Sequence, residues 1–366
     1  MSGIAPDTRH PARRTLGSHD ALESAAAAAN ELPSDDPLIA RLRAEITPRE
    51  IRDTIARYSG AAPLGGTSSG RIASRHVAHR DNLRAVAQLV HDFAAIAGLA
   101  ARPLPFWLDA VGGYRSNVEA RLRTMAEREA VVLVTAHVDS TAKFESGYDP
   151  AISRAPGADD DASGMAAVLA IARAVGRWGA VADSACEIRF VLFNAEESNL
   201  AGSRRYAETW PADGPPLLAV VQLDMVGYRS RCLRDGRHPF EIHASASQCP
   251  STTSWSLAIA HVIAAVAATV APDLAPHVYP GDLQLDPAYG RSDHSSFHRR
   301  DVGAVVISEN VHRGPDASSP PPSPNAGYHR YTDTVDAIDA TYAASIARVT
   351  AAAVVLMARS YRGARD

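Results

Sequence analysis

Val131-Val132-Leu133-Val134-Thr135-Ala136-His137-Val138-Asp139 is the stretch on which the fold turns. It opens on a continuously apolar run, as a strand buried on both faces does, and closes on a histidine and an aspartate. Residues 188–193, 217–223 and 302–307 repeat the apolar run. Helical stretches lie between and after these runs, at residues 162–177, 201–208, 253–270 and 337–359. Strand alternating with helix, with the strands fully apolar, predicts a three-layer α/β/α sandwich with a mixed, mostly parallel central sheet. In such sheets ligands collect beyond the carboxyl ends of the strands. His137 and Asp139 stand at that end of the first run.

Upstream, Leu38, Ile39, Leu42 and Ile46 suit a helix, and Pro48-Arg49-Glu50 opens another that runs to about residue 58. Residues 65–70 form a glycine-rich break, and Leu83, Val86, Leu89, Val90 and Phe93 recur at helical spacing. Residues 105–108 and 116–122 alternate as edge or antiparallel strands do. Residues 1–35 are polar and read as a disordered N-terminal tail. Residues 314–327 carry five prolines, suiting either a stiff wall beside a cleft or an unconstrained surface insertion.

The composition is that of a globular chain: 366 residues, 46% apolar, 21% charged, net charge -4. No long basic run is present, which argues against a nucleic-acid partner. Cys186, Cys232 and Cys249 form no C-x-x-C pair and read as free thiols of a reducing compartment. The Ala25–Ala29 run is too weakly apolar for a signal-peptide core, and no stretch approaches the roughly 20 apolar residues of a membrane span. A cytoplasmic location with no membrane partner is the expectation.

Beyond His137 and Asp139, which face the same way in an extended segment, four further pieces carry chemistry. Asp159-Asp160-Asp161 precede an apolar helix; helix capping accounts for one such acid well and for three poorly. Glu196-Glu197 follow a buried strand, so one can bind metal while the other shuttles a proton. Asp224 ends a buried strand, a costly place for a carboxylate unless it is paired or coordinates a metal. His329 adds a second neutral nitrogen. Each piece alone has an ordinary reading as a cap, a solvated loop or a structural histidine. Together, at strand ends, they suit a pair of divalent cations.

Their order is also informative. His137-x-Asp139-Ser140, Gly157-x-x-Asp160-Asp161-x-Ser163-Gly164, Glu196-Glu197 with Gly202-Ser203, Asp224-Met225, Ser292-Asp293-His294, and Tyr328-His329 with Asp333-Thr334 run in one order from residue 137 to residue 334, and the similarity they mark covers about residues 37–360. This set resembles the dizinc aminopeptidase family of bacterial leucyl and Streptomyces-type aminopeptidases. The resemblance implies a zinc-exopeptidase fold, with residues 36–366 as a single catalytic domain. It implies two Zn2+, with Co2+ or Mn2+ as substitutes. His137 and Asp224 match ligands of one zinc, Glu197 and His329 ligands of the other, and Asp160 the bridge between them. Glu196 matches the general base, Asp139 the orienting partner of His137, and Asp160–Asp161 a cis peptide. Tyr289 and Tyr328 each match a tyrosine that serves the site in one branch. Ala288 and Arg291 replace the disulfide cysteines of the Vibrio-type branch, and Ser308 its pocket aromatic, so a leucine preference is not implied.

The implied activity is zinc-dependent removal of N-terminal residues from peptides with a free N-terminus, through a water shared by two metals. Other chemistries on the same scaffold are glutaminyl cyclisation and deacylase or carboxypeptidase hydrolysis; a non-catalytic scaffold domain is the remaining reading. Deacylases carry an added dimerisation domain after the Glu-Glu block. The 105 positions from Asp224 to His329 already hold two strands and a long helix, leaving little room for one. A non-catalytic relative is expected to lose ligands, and none is missing here.

Overall fold

The four apolar runs become neighbouring strands at the centre of one sheet. The computed structural model describes residues 16–65, 70–122, 128–178, 184–230, 232–246, 249–280, 286–311 and 325–362. Its strands are β1 (Leu99–Leu108), β2 (Gly113–Leu122), β3 (Ala130–His137), β4 (Cys186–Phe193), β5 (Leu217–Leu223), β6 (His238–His243), β7 (Leu274–Tyr279) and β8 (Ala304–Glu309). Its helices are α1 (Leu16–Asn30), α2 (Pro37–Glu45), α3 (Pro48–Tyr58), α4 (Asp81–Ala94), α5 (Ala162–Trp178), α6 (Ala201–Glu208), α7 (Pro250–Val270), α8 (His294–His298) and α9 (Ala340–Ser360). The strand order is β1-β2-β4-β3-β5-β8-β6-β7. β4, β3, β5 and β8 run parallel to one another. The β1–β2 hairpin adds antiparallel to β4, and β6 runs antiparallel beside β8 with β7 parallel outside it.

Every residue of β3, β4, β5 and β8 is buried. Alternation along β3 sends Val132, Val134 and Ala136 into the larger apolar cluster shared with α5 and α9. Val131 and Leu133 join a smaller cluster with Tyr206 of α6 and Phe297 of α8 on the other face. Helices therefore cover both faces, and the four parallel strands deliver their carboxyl ends to one edge of the sandwich.

The helix starts follow local chemistry. Asp36 accepts the Leu38 amide and Thr47 the Glu50 amide, each with proline in the first turn of the helix that follows. Gly164 lies where α5 presses on the end of β5: a Cβ there would collide with the Asp161 carboxylate and the Leu223 carbonyl.

Two expectations are corrected. Residues 16–30 are helical rather than part of a tail, and residues 1–15 lie outside the described residues. Ala21, Leu22, Ala25 and Ala29 make one buried stripe against α7 and α9. The alanine run is weakly apolar, but alanine is the best helix former, and its small side chain lets the backbone approach closely. Secondly, α7 and α9 do reach the length and hydropathy of a membrane span. α9 packs on α1, α3, α5, α7 and two central strands, as a core helix does. The proline-rich loop at 314–327 falls mostly outside the described residues. β6 and β7, to which the sequence reading gives no bounds, carry histidines and the strand prolines Pro239 and Pro276, which blur the apolar signal. All three cysteines are free thiols.

Docking of α1 has a measurable consequence. Leu22→Ala is expected to lower the unfolding free energy by about 2–5 kcal/mol, the range for a buried leucine. Denaturant titration checks this, and an unchanged midpoint would mean that α1 is not part of the folded core.

Candidate metal centre

His137 is the last residue of β3, Asp224 follows β5 directly, and Glu196-Glu197 lie in the loop after β4. Asp160 precedes α5, and His329 sits in the loop between β8 and α9. The fold brings all of them to one cavity of about 500 Å³. Nε2 of His137 lies 3.0 Å from Oδ1 of Asp160 and 3.7 Å from Oδ1 of Asp224. Nε2 of His329 lies 3.0 Å from Oδ2 of Asp160 and 2.8 Å from Oε1 of Glu197. Two donor groups result, His137–Asp160–Asp224 and Asp160–Glu197–His329, each with its ligand atoms within 4.8 Å of one another. Asp160 belongs to both, one oxygen towards each histidine.

The donor set fits divalent cations. Carboxylates buried this close together are costly without compensating positive charge. Glu197 Oε1 is buried and makes no hydrogen bond among the described residues, although it approaches His329 Nε2. Neutral imidazole nitrogens with carboxylate oxygens are donors that zinc accepts.

The three adjacent aspartates divide by direction. Asp161 accepts the amides of His137 at 3.0 Å, Gly164 at 2.9 Å and Met225 at 3.3 Å, tying β3, α5 and the β5 end together. Asp159 accepts the Gly227 amide and the Asn325 side chain, both at 2.7 Å. Only Asp160 faces the cavity donors. The Asp160–Asp161 peptide is cis. Asp333 accepts the amides of Asp159 and Asp160 at 2.9 and 3.1 Å.

Asp139 has a different task from the expected one. Its carboxylate is 3.7 Å from Nδ1 of His137, too far for a hydrogen bond, while its own backbone carbonyl is 3.1 Å away. The carboxylate accepts the amides of Glu196 at 2.9 Å and Glu197 at 3.1 Å instead, and so fixes the Glu-Glu turn. Tyr328 lines the cavity and stacks on His329 at 3.7 Å. Tyr289 is 50% exposed, and its neighbours Ala288, Gly290 and Arg291 line the cavity in its place.

Electrostatics follow from burial. Burial pushes the Glu196 carboxyl well above the usual range, with Glu197, Asp293 and Asp224 adding to the shift and His137 opposing it. Burial likewise moves Asp293 up to about 7. Ala195, Met225 and His329 hold positive φ, at the residues before Glu196, after Asp224 and at His329 itself. Such backbone persists where surrounding structure enforces it, and here it aims site side chains.

Sequence reasoning missed Arg75, which is wholly buried. It donates to the carbonyls of Val138 at 2.7 Å and of Pro156 and Gly157 at 2.8 Å, and to that of Tyr58, beneath the aspartate cluster. Nothing in Ser74-Arg75-His76 announces this. It also gave Ser292 no role; its hydroxyl donates to Oδ2 of Asp224 at 2.6 Å.

A model of Peptidase family M28 matches residues 117–354, and the chain belongs to that family. Leucine aminopeptidase 1 of Phaeosphaeria nodorum is 30% identical over 157 residues, covering 42% of this chain and 37% of that protein. Leucine aminopeptidase 1 of Fusarium vanettenii is 34% identical over 113 residues, covering 30% of this chain and 28% of that one. The chain thus spans well under half the length of these curated relatives. Among solved structures, the Legionella pneumophila LapA aminopeptidase superposes with a TM-score of 0.65 at 19% identity, over 89% of this chain and 75% of that one. Macrostomum lignano glutaminyl cyclase superposes with a TM-score of 0.60 at 18% identity, over 88% and 93%. At these identities the likeness is one of fold.

His243, also at the cavity wall, sits between Asp286 at 2.8 Å and Glu241 at 3.2 Å. Burial opposes its charge, but the two carboxylates raise its pKa from 6.5 to about 9. A raised folded-state pKa gives stability present below the unfolded value and lost as pH rises through the folded one. The melting temperature is therefore expected to fall between about pH 6.5 and 9, with His243→Gln flattening that slope. Identical slopes in the two proteins would dismiss the assignment.

Proposed function

We propose that the protein is a zinc-dependent aminopeptidase that removes N-terminal residues from peptides. The observation that supports this reading most is the sharing of Asp160 between two donor groups beside Glu196, in an open cavity. His137 and Asp224 are assigned to one zinc, Glu197 and His329 to the other, and Asp160 to both. Bound zinc supplies Lewis acidity, polarising a carbonyl and bringing the pKa of water towards neutrality. The family, and the aminopeptidase names of the curated relatives, support the peptide substrate class.

The chain's own residues account for the remaining steps. Glu196 takes a proton from the attacking water and delivers it to the leaving amine. Its burial and neighbouring carboxylates favour its protonated form, which suits the second of these tasks. Asp139 keeps Glu196 and Glu197 in fixed relative positions through their amides. Ser292 holds one oxygen of Asp224. Tyr328, stacked on His329 at the cavity wall, offers a phenol hydrogen to the substrate carbonyl oxygen. The acidic cavity favours a free, protonated peptide N-terminus over a blocked one.

Glu196→Gln is expected to retain metal and lose at least about a hundredfold in kcat on aminoacyl-anilides, since general-base catalysis contributes roughly 10²–10⁴. Near wild-type turnover would remove Glu196 from the mechanism. Asp160→Ala is expected to lose metal and activity together; elemental analysis showing two zincs per chain would reject the bridge. A blocked N-terminus should abolish turnover, and N-terminal glutamine offered as substrate distinguishes hydrolysis from cyclisation.

A further inference from the structure

Lys143 is the single lysine among the chain's 37 lysines and arginines. It lies in the segment between β3 and α5 and lines the cavity. Its ammonium is 3.0 Å from Oε2 of Glu197, while Oε1 of the same carboxylate is 2.8 Å from Nε2 of His329. Asp139 fixes the Glu197 backbone, and the Glu197 side chain is only 5% exposed, so its carboxylate has little freedom to turn to water. Its two oxygens are thereby given separate partners.

The residue type matters. Arginine would present a planar fork matched to both oxygens of a carboxylate, whereas an ammonium is a point charge on a flexible stem and can take one. The Lys143 ammonium sits 6.0 Å from the centre of the Phe144 ring, and that ring leans on His329 at 5.1 Å. The two donor groups therefore differ in what holds their outer carboxylate. Asp224 receives a neutral hydroxyl from Ser292 at 2.6 Å, and Glu197 receives a full positive charge.

We propose that Lys143 is a positioning residue that confines Glu197 to one-oxygen ligation and lowers the cation affinity of the His329 side below that of the His137 side. The proposal rests on the two-cation reading above and concerns one position of the pair. A positive charge beside a ligand oxygen weakens that oxygen as a donor and repels an incoming cation. The His329 side then holds its cation loosely and leaves more of the cation's charge for a substrate oxygen, while the His137 side anchors the first ion.

The test is a calorimetric Zn2+ titration of the metal-free full chain, with Co2+ absorption spectra taken alongside. Lys143→Met keeps the stem and removes the charge. The Lys143 side chain is 47% exposed, so the weaker of the two binding events should tighten by about two- to fivefold, the scale of a solvent-screened ion pair, while the tighter event stays put. The Co2+ bands of that weaker event should lose intensity, as an added ligand oxygen brings. Lys143→Arg should weaken the same event, because its fork competes for both oxygens. An unchanged or weakened second event in Lys143→Met overturns the proposal, and so does an equal shift of both events, which marks a merely structural role. Should Lys143→Met fail to fold, Lys143→Gln carries the same expectation. A wild-type chain that takes up two ions but releases no N-terminal residue sinks the aminopeptidase reading alone; one that binds fewer than two ions sinks this proposal.

Discussion

Carboxylates gathered around one cavity repel one another, and that repulsion is the constraint around which the rest of the molecule is arranged. Asp160 is held by its backbone: Asp333 accepts its amide, and Arg75 ties down the carbonyls of Pro156 and Gly157 just before it. The neighbouring acids are turned away to accept main-chain amides, a use in which a carboxylate is worth more than a neutral acceptor. Asp139, Asp159, Asp161 and Asp333 thereby serve as braces. The buried guanidinium of Arg75 lies within electrostatic reach of Asp139, Asp160, Asp161 and Asp333.

The parallel strands supply the second half of the arrangement. Ends of β3, β4, β5 and β8 lie side by side, so residues far apart in the chain meet there, and the longer connections after β3 and β8 bring in Asp160 and His329. Positive φ at Ala195, Met225 and His329 then turns individual side chains into the cleft. LapA and glutaminyl cyclase share this scaffold with this chain, and their names describe different chemistry. The scaffold is therefore neutral as to reaction, and function has to be argued from the side chains that line the cavity, among them Glu196, Tyr328 and Lys143.

Much was legible from the chain alone because it is written locally. Four apolar runs without alternation announce four buried strands, and their order with helices announces the sandwich. The α6 bounds and the α3 start are read directly from pattern, and the residues that the fold gathers into the two donor groups stand in motifs visible in the sequence. β6 and β7 received no bounds, since prolines and histidines interrupt their apolar signal. α1 was misread because small side chains look weakly apolar in sequence, although they pack closely once a partner helix is present.

Sequence by itself determined which residue types are available for metal chemistry and that His137, Glu196-Glu197 and Asp224 stand at strand ends, because strand periodicity and motif order are properties of neighbours. Only the tertiary structure decided which acid does what. Asp139 braces the Glu-Glu turn, Tyr328 lines the cavity where Tyr289 does not, and a lone lysine meets one oxygen of Glu197. The contacts of Asp139 and Lys143 depend on distances of a few ångströms between segments more than 50 residues apart, 57 for Asp139 and Glu196 and 54 for Lys143 and Glu197. No local rule of spacing or propensity encodes such distances.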